Sequence, residues 1–291
     1  MYKLLLPVLF LALFAVGCDS REDLAELPQG SLTVDTEALV AEWHALASAE
    51  NGDLDIEAAH QIAGQLSRTV GGLDPLFDVM ANPESDPLTK VLVVISTTPF
   101  ITEAHAPMLI ELTDAAHEQT TRSCATNLLG QLDDHAPAAA RLHELKDQEA
   151  NYTVRLAAIL SLMKQRDAEA LEMAPEIWEH PDTTDEQRTQ IVYLMPNSRV
   201  YDFFDLFKDA AVNPNIEFSA RMRAVSVVAQ ADDPSALPIL EQVAREDSSE
   251  DIRRLATRGR IAMAERFGEA IEDLEEVDLE DADEAETDAP E

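Results

Sequence analysis

Arginine recurs at a fixed interval of 33 residues through the second half of the chain, at Arg122, Arg155, Arg188, Arg221 and Arg254. A fixed period of about 20–50 residues is typical of a repeat array. The residue three positions after each arginine is alanine or isoleucine in four of the five copies, and the residue seven positions after it is always apolar. These two spacings fall on one face of a helix, so each copy is predicted to begin with an amphipathic helix.

A second helix is predicted to follow in each copy. Twelve positions after the arginine, three of four copies carry an aspartate, namely Asp134, Asp167 and Asp233, while the other carries Val200. An aspartate before a helix can accept hydrogen bonds from the free N–H groups of the first turn, and Pro234 suits the first helical position. Each copy is therefore predicted to be a helical hairpin.

The repeating arginines form one column of aligned positions, and the aspartates twelve positions after them form a second. Together these two charged columns suggest ion pairs between neighbouring repeats. The predicted pairs are Arg155 with Asp134, Arg188 with Asp167, and Arg254 with Asp233, and Arg122 and Arg221 belong to the same structural column. The alternative is that the arginines form an anion-binding stripe.

The first third of the chain is less regular. An opening helix is predicted over 36–49, followed by helical pairs over 54–80 and 86–115. No stretch has the alternating apolar pattern of a strand. The sequence thus predicts five or six stacked hairpins, since a single hairpin cannot bury its apolar face alone.

The segments Val154–Leu171 and Ala220–Leu240 resemble HEAT repeats, especially the short phycobilisome-lyase type. The resemblance covers residues 118–266. It implies an all-α, right-handed α-solenoid whose usual role is to bind another macromolecule.

The N-terminus has the form of a bacterial export leader. A basic start is followed by eleven apolar residues, which are too few to span a bilayer. The leader ends in Ala15-Val16-Gly17-Cys18, which resembles a lipobox. We therefore expect a lipoprotein signal peptide at 1–17, a lipid on Cys18, a flexible tether at 18–34 and the solenoid at 35–268. These features predict a location in the bacterial cell envelope, with the solenoid in the periplasm or at the cell surface.

The chain is strongly acidic, with a formal net charge of −36. Residues 269–291 contain thirteen acidic residues and no basic one, so this tail is predicted to be disordered by repulsion between its charges. Nucleic-acid binding is disfavoured, because it depends on Lys and Arg that neutralise phosphates. Three interpretations of the acidity stay open: solubility in a salty habitat, attraction of a basic protein partner, and loose Ca²⁺ condensation.

No motif for catalysis, for a metal or for a cofactor is present. The seven histidines form no His-Glu-x-x-His motif, and His135 and His143 are a weak metal pair because His135 lies at a helix start. The cysteines are Cys18 and Cys124, and Cys124 is predicted to be a buried packing residue. Among the aromatic residues, Tyr201 and Phe203 are predicted to mark a partner contact.

Core positions are predicted for three other aromatic residues, Trp178, Phe204 and Phe207.

The function that these features favour is a membrane-anchored, non-catalytic scaffold that binds a protein or peptide, and the acidity favours a basic one. The first alternative is an enzyme that resembles the phycobilin lyases, or another ligand-binding HEAT-like protein. The second is a structural spacer. A deep, closed pocket with a perturbed His or Asp is expected of the enzyme, and an open groove is expected of the scaffold.

Overall fold

The computed structural model describes residues 35–47 and 55–267. These two ranges contain helices and turns and no strand. The predicted all-α fold is therefore confirmed. The expected signal peptide and lipidated Cys18, the tether, and the acidic tail lie outside the described residues.

The chain divides into two compact units, Met1–Leu194 and Met195–Glu291. The helices described in the first unit are α1 Thr36–Ala47, α2 Ile56–Leu66, α3 Asp74–Ala81, α4 Pro87–Thr97, α5 Ala106–Leu112, α6 Gln119–Leu129, α7 Ala136–Gln148, α8 Tyr152–Lys164, α9 Ala168–Glu172, α10 Ala174–Glu179 and α11 Asp185–Leu194. The helices described in the second unit are α12 Phe204–Val212, α13 Phe218–Gln230, α14 Leu237–Glu246 and α15 Glu250–Phe267, and α12 and α14 are preceded by the 3-10 segments Asn197–Phe203 and Pro234–Ala236.

The first unit is a two-layer stack of helical pairs. One layer contains α2, α4, α6, α8 and α11, each of which packs on the next. The helices α3, α5, α7 and α9 each pack on a helix of that layer, and α5 also packs on α7. The pairs predicted over 54–80 and 86–115 are the α2–α3 and α4–α5 hairpins.

The second unit repeats this plan. Helix α13 packs on α15, α12 packs on α14, and α13 and α14 form a hairpin whose second helix also packs on α15. Each unit therefore has the stacked-hairpin arrangement of an α-solenoid, as the period of 33 residues predicts.

Polar side chains cap the start of several helices. Asp86 Oδ1 accepts a hydrogen bond of 2.8 Å from the Leu88 N–H, and the following proline needs no partner for its nitrogen. Asp167 Oδ1 accepts from the Ala170 N–H at 2.8 Å, and Asp233 Oδ1 accepts from the Ser235 N–H at 2.9 Å. Two of the three aspartates in the predicted capping column therefore do cap a helix.

The apolar columns form the core. The residues three positions after the repeating arginines are all buried. Of the residues seven positions after them, Leu129, Leu162, Met195 and Val228 are at most 1% exposed, whereas Ile261 on α15 is only partly buried. Helix periodicity therefore predicts the inward face in every copy except the last.

Glycine lets two neighbouring helices of the second unit approach closely. A Cβ atom added to Gly259 on α15 would lie 2.4 Å from the Ala229 Cβ on α13. This distance is far below van der Waals contact, so α15 can dock on α13 only because the side chain is absent.

Candidate functional site

Cations on the first helices of the hairpins bind carboxylates that precede the next first helix. Lys90 on α4 contacts Glu118, and Arg122 on α6 contacts Glu149. Lys90 is fully buried, and the Arg122 and Glu149 side chains are 10% and 12% exposed. These two pairs tie the repeats that begin with α4 and α6 to the repeats that follow them.

The second unit contains the same joint. Arg221 on α13 donates from Nη2 to Asp247 Oδ1 at 3.3 Å, and its Nε lies 3.1 Å from Asp247 Oδ2. Its Nη1 donates to the backbone carbonyls of Pro214 at 2.9 Å and Ile216 at 3.2 Å. Both charged side chains are 7% exposed, so this arginine is a structural element of the interior.

Glu149 shows how these joints are stabilised. Burial alone would raise the pKa of its carboxyl group, but the Asn151 N–H and the Arg122 guanidinium hydrogen-bond to the ionised form and together hold the pKa below its ordinary value. Arg122 Nε also donates to the Thr113 carbonyl at 3.1 Å.

The predicted partners of the arginine column are wrong. Arg188 donates to Asp185 and to the Trp178 carbonyl rather than to Asp167, and Arg254 pairs with Glu250 of its own helix rather than with Asp233. The physical reason is that Asp167 and Asp233 each use a carboxylate oxygen to cap a helix.

Arg155 differs from the other four arginines of the column, each of which pairs with an acidic side chain. No ion pair joins it to Asp134 in the described part of the chain, and its guanidinium lies 5.6 Å from the centroid of the Tyr152 ring. Tyr152 in turn stacks on His180 at 3.6 Å. An aromatic pair thus takes the place of the acid at this joint.

The sequence reasoning missed Lys90 and the partner carboxylates Glu118, Glu149 and Asp247. These acids lie 28, 27 and 26 residues after their cations. A search for an acid at a variable distance of this size, with lysine allowed in place of arginine, could have found them.

A cleft of about 420 Å³ opens in the first unit, between the turns of two consecutive hairpins. The residues that line it are Asp133, Asp134, Ala139, His143, Leu162, Lys164, Gln165, Arg166 and Asp167. One wall comes from the α6–α7 turn and α7, and the other comes from the end of α8 and the start of α9. Asp134 and Asp167, which the sequence predicted to pair with arginines, therefore both line the cleft.

Both turns contain a residue in the left-handed backbone region, Asp134 with φ 61° and Arg166 with φ 64°. Glycine is the usual residue at such a helix end, so each position carries a modest conformational cost. The turn at Arg166 is held by hydrogen bonds from its own N–H to the Met163 carbonyl and from the Asp167 N–H to the Leu162 carbonyl, each 3.0 Å.

The cations of the cleft are engaged by the protein itself. Lys164 Nζ donates to Gln131 Oε1, and Arg166 Nη1 donates to the Leu194 carbonyl at 2.8 Å. Asp133 and Asp134, in contrast, are exposed residues at the edge of the cleft. The lining thus sets three carboxylates, those of Asp133, Asp134 and Asp167, against two cations, and its formal charge is −1.

One cluster beside the cleft has the residue types of a metal site. His143, Asp167 and Glu169 each have a ligand atom within 4.8 Å of the others, and His143 Nε2 lies 3.5 Å from Asp167 Oδ2. However, the Lys146 ammonium lies 3.2 Å from Glu169 Oε1 and 2.6 Å from Asp147 Oδ1.

Burial would lower the pKa of Lys146, but hydrogen bonds to these two carboxylates raise it above its ordinary value. A permanent cation is therefore already present in the cluster and would repel a metal ion. We interpret the cluster as an ion-pair network that joins α7 to α9.

The two residues predicted to mark a partner contact, Tyr201 and Phe203, differ in their exposure to solvent. Tyr201 is 53% exposed, as expected. Phe203 is only 6% exposed, so its prediction as a contact residue is wrong. Both belong to the 3-10 segment Asn197–Phe203, whose turn of three residues places Phe203 inward. Trp178 and Phe207 are buried as predicted, and Phe204 is partly buried.

Cys124 is buried on α6, and burial raises the pKa of its thiol to about 12. A thiol with this pKa is almost entirely protonated at neutral pH, so it is unreactive. The prediction of a packing role agrees with this environment. No helix in the described ranges combines the length and the apolar composition needed to cross a membrane.

Comparison with known proteins gives no family for the chain. No family model matches it, and no curated protein matches it. Among the solved structures that match, that of human deoxyhypusine hydroxylase in complex with glycerol shares 14% identity and covers 79% of this chain and 88% of that one. The TM-score is 0.32, so this likeness carries no argument about chemistry, and the α-solenoid assignment rests on the stacked hairpins themselves.

Proposed function

We propose that the protein is a lipid-anchored scaffold of the bacterial envelope, non-catalytic, whose α-solenoid holds a protein or peptide partner. The observation that carries this proposal is the cleft between the α6–α7 and α8–α9 turns. It lies on stacked helices, which offer a preformed surface for recognition, and its volume is that of a site for a few side chains.

The charges of the cleft support a basic partner. Lys164 and Arg166 are engaged within the protein, while Asp133 and Asp134 present carboxylates at the edge. A lysine or arginine of the partner would pair with these carboxylates, and the net charge of −36 would steer a basic segment toward the protein.

The lipid anchor is the second part of the proposal, and it rests on the leader and Cys18. An acylated cysteine would hold the protein at a membrane, because two acyl chains give stable anchoring where one gives only marginal binding. Replacing Cys18→Ala should release the protein from the membrane fraction. If the variant stays in that fraction as fully as the native protein does, the lipid anchor is wrong.

The role of the cleft can be tested with a double variant, Asp133→Asn with Asp134→Asn, which removes both negative charges from its edge. Asparagine adopts the left-handed backbone region at least as readily as aspartate, so this change removes charge and keeps the turn. The matched control is Asp78→Asn with Glu111→Gln, which removes two exposed charges elsewhere in the first unit.

The measurement is affinity capture from detergent-solubilised membranes, with the retained partner quantified by mass spectrometry. We expect the cleft variant to lose most of a basic partner that the native protein and the control variant both retain. A partner that the cleft variant and the control variant retain equally would show that the cleft is not the binding site.

A further inference from the structure

Arg155, on α8, carries hydrogen-bond donors that the protein itself does not use. Its Nε is buried and has no hydrogen-bond partner. Within residues 35–47 and 55–267, no carboxylate or carbonyl accepts a hydrogen bond from its guanidinium, which lies 5.6 Å from the centroid of the Tyr152 ring. The residue is partly exposed, so solutes can reach its side chain. A buried charged donor without a partner costs about 1–3 kcal/mol or more, so this position favours a ligand that accepts the missing bonds.

The equivalent arginines of two other repeats show what this position binds. Arg122 donates from Nη2 to Glu149, and Arg221 donates from Nη2 to Asp247 at 3.3 Å. Both acceptors are carboxylates from the connection that precedes the next first helix, and all four side chains are at most 12% exposed. A guanidinium at this position of the repeat is therefore matched to a carboxylate, with which it can form two parallel hydrogen bonds.

The remaining two arginines of the column pair with an acid three or four residues earlier on their own helix. The residues three and four positions before Arg155 are Tyr152 and Asn151, so this source of a carboxylate is missing. Burial raises the pKa of the Tyr152 phenol above its ordinary value, and the phenol is therefore neutral at pH 7. Asn151 Oδ1 accepts a hydrogen bond from the Val154 N–H at 3.2 Å and caps α8.

The connection after α10 places an aromatic ring where the other joints have an acid. Asp182 lies 27 residues after Arg155, within the range of 26–28 residues found at the other joints. Asp182 is exposed, and its backbone N–H donates to His180 Nδ1 at 3.2 Å. The His180 ring stacks on Tyr152 at 3.6 Å, and the Tyr152 hydroxyl is hydrogen-bonded to Thr183. These contacts fix the turn in a form in which Asp182 does not pair with Arg155.

We propose that Arg155 is a binding site for a carboxylate group that comes from outside the chain. The guanidinium holds this group as Arg122 holds Glu149 and as Arg221 holds Asp247. The Tyr152 ring beside the guanidinium stabilises the cation and limits its rotation. The carboxylate belongs to a small free acid or to a side chain of a partner protein, because the guanidinium recognises the same two oxygen atoms in both.

The site at Arg155 is separate from the cleft. Lys164, which lines the cleft, lies nine residues after Arg155 on α8, which is about 13 Å along the helix axis. Binding of a carboxylate at Arg155 therefore does not require a basic partner in the cleft.

The surrounding charges make the site at Arg155 weak. Glu176 and Asp182 are exposed acids that add to the effect of burial in raising the pKa of the Tyr152 phenol. Both oppose a bound anion, but exposed charges are screened by salt. A single guanidinium–carboxylate pair in this setting corresponds to a dissociation constant on the order of millimolar or weaker.

The Nε–H signal of Arg155 in proton–nitrogen NMR spectra of the purified protein reports binding directly. The signal is assigned by its loss in Arg155→Lys, a change that should fold because Lys90 makes the same joint on α4. We expect sodium acetate to shift this signal saturably at pH 7, and sodium chloride at the same ionic strength to leave it in place. The Arg122 Nε–H, which already donates to the Thr113 carbonyl, is the internal control and should not shift. An Arg155 signal that moves no further in acetate than in chloride would overturn the proposal.

A capped tripeptide with a central glutamate, and the same peptide with glutamine, identify the source of the carboxylate. If the glutamate peptide shifts the Arg155 signal as acetate does, the site accepts a protein side chain. If acetate alone shifts it, the site takes a small free acid. Both results support a carboxylate site, whereas a glutamine peptide that shifts the signal as much as the glutamate peptide would show that Arg155 does not recognise the carboxylate.

Two positions beside Arg155 give further variants. Tyr152→Glu supplies an acid three residues before Arg155, as Asp185 does for Arg188, and should abolish the acetate shift. The matched control Tyr152→Gln lacks the charge and should keep the acetate affinity within about threefold of the native value. Asp182→Asn should change this affinity by less than about twofold, because Asp182 is exposed and screened. A gain of about fivefold or more in Asp182→Asn would show that Asp182 is the partner of Arg155 in solution and would overturn the proposal.

Discussion

Glu149→Gln removes the negative charge from the joint between the third hairpin, α6–α7, and the repeat that begins with α8. Glutamine has the size of glutamate and can still accept the 2.8 Å hydrogen bond from the Asn151 N–H. The Arg122 guanidinium then stays at 10% exposure without a counter-charge. Breaking a fully buried pair costs about 3–5 kcal/mol and breaking a surface pair costs under about 1 kcal/mol. At this exposure we expect a loss of about 2 kcal/mol in the free energy of unfolding.

The assay is urea unfolding followed by tryptophan fluorescence. The two tryptophans, Trp43 and Trp178, both lie in the first unit and are at most 7% exposed, so their emission reports the unfolding of the unit that contains Glu149. The control is Glu144→Gln, because Glu144 is half exposed and its pair with Arg141 should contribute under about 1 kcal/mol.

The pH dependence gives an independent check. The pKa of Glu149 is lowered in the folded protein, so its stabilisation is present above the ordinary pKa of 4.5 and is lost as the pH falls through the folded value. The difference between the native protein and Glu149→Gln should therefore shrink below about pH 4.5. A difference under about 0.5 kcal/mol at pH 7, or one that stays constant into acid, would refute the role given to this pair.

Three further changes test other parts of the structure. Gly259→Ala should destabilise the second unit by about 1–3 kcal/mol, because the new Cβ would lie 2.4 Å from the Ala229 Cβ. Thermal unfolding followed by circular dichroism measures this loss, and an unchanged midpoint would contradict the close approach of α15 and α13. Cys124 should stay unlabelled by a thiol reagent at pH 8 in the folded protein and react in urea, because burial raises its pKa to about 12; rapid labelling without urea would contradict its burial. In the same melts, Phe203→Ala should lower the free energy of unfolding by about 3–5 kcal/mol and Tyr201→Ala by under about 0.5 kcal/mol, because only Phe203 is buried. Equal losses of stability in the two variants would contradict this assignment.

The repeats were predictable because the same helix face is buried in every copy except the last, where Ile261 is only partly buried. The positions three and seven residues after each arginine follow helix geometry alone, and Asp167 and Asp233 follow from the chemistry of a helix start. Local rules suffice for features of this kind, because they depend on neighbours within one or two turns.

The ion-pair partners were not predictable from a fixed period. Each carboxylate lies in a connection whose length varies, so the distance from cation to acid ranges from 26 to 28 residues, and the first joint uses Lys90 instead of arginine. Phe203 was misplaced for a related reason, since a 3-10 segment does not continue the spacing of an α-helix.

The cleft depends on the packing of two turns that are about 30 residues apart. Neither Asp134 nor Arg166 has the glycine that usually marks a left-handed helix end, so nothing local identifies these turns. Only the stacking of α6 against α8 brings them together.

The most direct measurement of the proposed binding role is a titration of the isolated protein with a decalysine peptide, followed by NMR of the His143 imidazole within the cleft. We predict saturable shifts of this resonance that weaken as salt is added and that need severalfold more peptide in the Asp133→Asn, Asp134→Asn variant. Shifts of the same size and midpoint in the native protein and in that variant would contradict the cleft as the site of partner binding.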